Sequence, residues 1–155
     1  MTIDYFIRSF NKANNHLTSE MVIFENGVDI PKYALLELKN EPALKEFYYY
    51  NYDERYKEYS IRKIDSLEGM YTNYLYYHQK ARLQKLLNDG KLYLHILRTV
   101  ARVNKAVNEQ VKLWEQNDKE LQLALRNGDT DTYYGLLNNL RARAEEVIFP
   151  QMLYI

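Results

Sequence analysis

The chain has 155 residues, 46% hydrophobic and 27% charged, with 21 Lys/Arg balanced by 21 Asp/Glu. That length and apolar content suit one packed domain, or one domain with an elaborated end. Zero net charge argues against a strong non-specific polyanion binder and against an acidic DNA mimic, and the lack of cysteine excludes disulfides, thiolate metal sites and cysteine nucleophiles.

Asp4 and Arg8 interrupt the early apolar residues, so no export leader is expected. No stretch approaches the ~18 apolar residues of a membrane helix. A cytoplasmic setting fits both observations.

In chain order, Ile3, Phe6, Ile7, Phe10, Ala13 and Leu17 share a face and predict a helix over 3–17, with Thr2 as its cap. Met21–Phe24, Asn26-Gly27 and Val28–Ile30 predict a hairpin, because Asn-Gly suits the positive φ angles of a tight turn. Pro31 ends its second strand or confines it to an edge. Tyr33–Lys39 reads as strand or helix. Asn40-Glu41-Pro42 resembles a helix start. Tyr48, Tyr52, Tyr56 and Tyr59, spaced 4, 4 and 3, favour continuing that helix, although the alternation around Ile61 also permits a strand.

Asp65 or Ser66 then caps a helix to about Leu87, with Leu67, Met70, Tyr71, Tyr74, His78 and Ala81 on one face. Asn88-Asp89-Gly90 stops it, with Gly90 suited to the left-handed conformation. The next helix, about 91–116, has the clearest stripe: Tyr93, Ile96, Leu97, Val100, Val103, Val107, Val111 and Trp114. Asn117 or Asp118 caps a shorter helix ending at Asn127-Gly128. Thr130 caps the last, which carries Leu140, Ala144, Val147 and Ile148 on one side, and Pro150 ends it near Phe149. Its apolar tail, Met152 to Tyr154, needs a docking place. The expected fold is mainly α: a C-terminal helical bundle over 66–155 and a small N-terminal α+β portion over 1–65 containing a β-hairpin.

Charge is unevenly spread. Residues 71–112 carry 8 Lys/Arg and 2 Asp/Glu, net +6, between flanks of net −3 each. Arg98, Arg102, Lys105 and Lys112 lie opposite the apolar stripe of their helix, with Glu109 among them. They suit a track for a nucleic-acid backbone; a solvated helix face is the alternative. Tyrosine is the second anomaly: of 16 in the chain, ten lie between Tyr48 and Tyr77. Tyr48, Tyr49, Tyr52, Tyr56 and Tyr59 form a candidate partner-binding belt, or pack in a core with hydroxyls at its rim.

Tyr74-Leu75-x-x-His78-x-Lys80, then Gly90-Lys91-Leu92, then Asn139-Leu140-Arg141-x-Arg143-Ala144-Glu145-Glu146-Val147, and the Tyr154 tail follow one another in a family-like order. Over about residues 74–155 the chain resembles transposon-encoded TnpV-type proteins, small accessory proteins of mobile elements in Gram-positive bacteria. The resemblance implies a mobile-element accessory role, in excision or its control, and carries no enzyme chemistry. It singles out His78, Arg141, Arg143 and Glu145. Arg141 and Glu145 can pair along the helix, and either arginine could grip a phosphate or clamp the helix packing.

His16, His78 and His95 show no metal-ligand spacing. No phosphate-binding loop or nucleophile elbow is present, and adjacent Glu145 and Glu146 diverge on a helix. No catalytic residue, cofactor or metal is therefore expected. Three functional readings remain: a non-enzymatic accessory factor binding DNA or a nucleoprotein complex, a protein inhibitor of a host defence nuclease of the anti-CRISPR type, and an oligomeric interaction module such as a homodimer.

Overall fold

A computed structural model describes residues 3–13, 15–25, 27–40 and 44–155. The chain forms two compact units, residues 1–97 and 98–155. The first unit is built on a four-stranded antiparallel sheet of β1 (Asn15–Thr18), β4 (Tyr33–Asn40), β5 (Leu44–Asp53) and β6 (Glu58–Ile64), in the order β1-β4-β5-β6. A separate two-stranded hairpin, β2 (Val22–Glu25) and β3 (Val28–Pro31), sits between β1 and β4 in the chain. The protein is thus α+β with its strands in the N-terminal part. This overturns the mainly α expectation and its single small hairpin.

The largest correction concerns the tyrosine run. Tyr48, Tyr52, Tyr56 and Tyr59 do not continue a helix; β5 and β6 occupy that stretch, and Tyr33–Asn40 is a strand. Tyrosine favours a pleated, half-buried surface, and successive side chains go to opposite faces. Tyr50 and Tyr52 therefore join one core while Tyr49 serves the other face. Asp53 turns the chain back by accepting from the backbone of Arg55 at 2.8 Å and Tyr56 at 3.4 Å. Asn40 ends β4, and the rest of the expected helix start, Glu41 and Pro42, lies outside the described residues.

On one sheet face lies α1 (Ile3–Lys12), shorter than the expected 3–17 because Asn15–Thr18 pairs with β4 as a strand. Thr2, its expected cap, lies outside the described residues. Phe6 of α1 stacks on Tyr59 at 4.3 Å and meets Tyr50 edge-on at 5.3 Å. Ile30, Ala34, Leu36 and Tyr52 complete this core. The hairpin turns at Gly27, φ 80°; Asn26 lies outside the described residues.

The opposite face receives α2 (Ser66–His78), α3 (Lys80–Asn88) and the start of α4 (Leu92–Asn117). The single helix expected to Leu87 is broken at Gln79, whose φ −138° and ψ 51° are not helical. Its buried residues also differ: Tyr71, Thr72, Leu75 and Tyr76 face inwards, while Met70 and His78 are exposed. Tyr33, Tyr49 and Tyr93 form a near-parallel column, with centroids 6.3 and 5.6 Å apart. Lys32 covers one end at 6.0 Å and Arg62 the other at 5.0 Å. Glu37, almost fully buried, accepts from Tyr77 at 3.0 Å and Asn15 at 3.3 Å. The expected junction at 65–66 is the β6-to-α2 turn, inside this unit.

The second unit contains the rest of α4, α5 (Lys119–Arg126) and α6 (Thr130–Met152). Asp118 caps α5 by accepting from Leu121 N at 3.1 Å, and Asp129, not Thr130, caps α6 by accepting from Thr132 N at 3.3 Å. Leu140 and Ala144 are buried as expected, but Val147 is exposed. Pro150 does not end α6. It sits inside the helix, in its last turn, where it gives up the bond of its own N–H and its ring crowds the carbonyl of Glu146, yet the helix runs on to Met152 and Leu153 beyond it is fully buried.

Candidate nucleic-acid interface

α4 positions the basic row. At 100° per residue, Arg98, Arg102, Lys105 and Lys112 fall within a sector of about 80°, over about 21 Å of helix. Val100, Val103, Val107 and Val111, all buried, point the opposite way on the same helix. Burial of the valine stripe therefore fixes the cations outwards, and all four are exposed. Among the described residues, no ion pair or hydrogen bond engages any of them. Glu109, also exposed, lies inside the row without closing on Lys105 or Lys112.

The residues singled out by the resemblance do something different. The Arg141 guanidinium donates to Asn108 Oδ1 of α4 at 2.9 Å and pairs with Glu145 at 3.4 Å. The Arg143 guanidinium lies over the Trp114 ring at 5.8 Å. Both arginines join α6 to α4, Arg143 through an aromatic ring and Arg141 through a side-chain amide. His78 is exposed at the end of α2, tilted against Tyr74 at 5.4 Å. Among the described residues, no group of His, Asp and Glu could hold a metal.

The tyrosine belt is not one surface. Tyr49, Tyr52 and Tyr59 are buried, Tyr48 is half-buried with its hydroxyl donating to Glu46 at 2.8 Å, and only Tyr56 stands out in the β5–β6 turn. Burial raises the Tyr49 and Tyr59 pKa values well above the ordinary tyrosine value of 10.0.

Two features had no expectation attached to them. The hairpin exposes Met21, Val22, Phe24 and Val28, with Phe24 74% exposed, beside Glu20 and Asp29. The only sequence signal for this was Val22-Ile23-Phe24, where alternation should have left a polar face. The second is a groove between α4 and α6 that contains Glu115, whose carboxylate accepts from Tyr133 at 2.7 Å. That bond, and then burial, raise the Tyr133 pKa.

No family model, curated protein or solved structure matches this chain. Among the described residues, no helix is long and apolar enough to cross a membrane.

Proposed function

We propose that the protein is a non-enzymatic accessory factor of a mobile genetic element that works in the cytoplasm by binding nucleic acid or a nucleoprotein complex. Arg98, Arg102, Lys105 and Lys112 carry the contact. The supporting observation is their shared outward face with no partner charge among the described residues. Such cations release counterions from a phosphate backbone at little cost in broken internal bonds. The mobile-element setting rests on the motif resemblance over 74–155. The test is titration of labelled DNA, duplex and single-stranded, at low and near-physiological salt. Binding should weaken steeply with salt and be lost in Arg98→Glu/Arg102→Glu. Salt-insensitive binding, or none at low salt, would refute the reading.

A second reading, inhibition of a host defence nuclease through protein contact, is favoured by the hairpin rather than by the tyrosines. Val22 and Phe24, 61% and 74% exposed, beside acidic neighbours suit an apolar patch with a basic rim on a partner. It predicts partner capture that is lost in Val22→Ser/Phe24→Ser and untouched by the Arg98/Arg102 reversal.

A further inference from the structure

The groove between α4 and α6 has a volume of about 330 Å³ and shares Lys112 with the basic row. That is the small end of ligand sites. Val111 and Leu137 supply apolar walls, and Glu115, Asn108, Asn138 and Arg141 supply the polar lining. Resting on the nucleic-acid reading, we propose that this groove holds one unstacked base of a single strand and selects bases bearing an exocyclic amino group over thymine or uracil.

Glu115 decides what the groove can hold. A carboxylate repels phosphate, so the part of a strand that fits beside it is a base and not the backbone. An ionised carboxylate only accepts hydrogen bonds. One Glu115 oxygen takes the Tyr133 hydroxyl at 2.7 Å, and the other has no partner among the described residues and can take an amino donor. Asn138, exposed on α6, has no partner among the described residues. Its amide can both donate and accept, matching the ring nitrogen beside an exocyclic amine. Cytosine presents an amino donor next to a ring acceptor. Thymine presents a single donor flanked by two carbonyls that oppose the carboxylate. Lys112, at the shared rim, suits the phosphate flanking the held base. Bases stacked in a duplex cannot enter, whereas unstacked bases can be read on their Watson–Crick edges.

The experiment compares labelled oligo-deoxycytidine and oligo-deoxythymidine of equal length by fluorescence anisotropy at low salt. The wild type should bind the cytidine strand roughly tenfold more tightly, as one good base contact allows. Glu115→Gln should abolish most of that preference. Tyr133→Phe, which keeps the carboxylate and removes only its internal partner, should retain it, separating base reading from damage to the helix pair. Arg98→Glu/Arg102→Glu should weaken both strands alike. Equal wild-type affinity for the two strands, or a preference that survives Glu115→Gln, overturns the inference. If equal binding is still salt-sensitive and lost in the arginine reversal, the basic row stands and the groove inference alone falls. No binding of either strand removes both.

Discussion

Two tyrosine hydroxyls on the α1 side of the sheet are buried under opposite terms. Tyr59 donates to the Pro31 carbonyl oxygen, tying β6 to the end of the hairpin. Tyr50 is fully buried, and its hydroxyl makes no well-formed hydrogen bond among the described residues, although Ser9 of α1 lies close enough to act on it. Burial raises its pKa, and the Ser9 side chain on α1 only partly offsets that. A buried hydroxyl without a partner costs about 1–3 kcal/mol, whereas a made bond contributes about 1 kcal/mol. Tyr50→Phe should therefore leave stability unchanged or raise it by about 1 kcal/mol, while Tyr59→Phe should lower it by about 1 kcal/mol or more. Denaturant midpoints check both. The pH dependence follows from the same side chains. Because Tyr49 and Tyr59 have raised folded pKa values, their contribution is complete below the unfolded tyrosine pKa of about 10 and is lost as pH rises through the folded values. Stability should fall above about pH 10, and more gently in Tyr49→Phe. A wild-type midpoint that stays flat to strong alkali would contradict this burial.

At the scale of elements, the helices that present one clean apolar stripe were legible. α4 follows its valine spacing, and α5 begins and ends on its Asp118 and Asn127-Gly128 signals. β5 was not legible, because both faces of this strand are covered. Tyr49 packs on one side and Tyr50 and Tyr52 on the other, so polar residues do not alternate with apolar ones through Phe47–Tyr50 to mark an outward face, and the 4, 4, 3 spacing of Tyr48–Tyr59 imitates a helix. The Gln79 break between α2 and α3 has neither Gly nor Pro to announce it. In the candidate site, the four cations were readable because burial of one α4 face dictates the other; the Glu115 groove needs α6 beside α4, which spacing within one helix does not encode. α6 itself yields a test. Leu153 is fully buried just past its end, so Leu153→Ala should cost about 2–4 kcal/mol, and cutting the chain at Pro150 should cost at least as much. Thermal unfolding measures both. An unchanged midpoint would mean that the tail does not dock.

For the whole molecule, a formal net charge of zero conceals an uneven distribution, and each unit supplies a different kind of surface. The first unit spends most of its tyrosines on two cores and exposes an acidic, apolar hairpin. The second presents cations that no acidic neighbour engages among the described residues. A neutral protein of this kind gains little from long-range steering, so binding should depend on the local row and not on overall charge. The slope of log affinity against log salt tests this most directly, measured on whichever DNA form binds more tightly. Four phosphate contacts give a slope of about −3 to −4, and removing one cation, as in Arg102→Gln, should flatten it by about one. A slope that is flat in the wild type, or steep but unchanged by Arg102→Gln, would contradict the account and take the nucleic-acid contact away from α4.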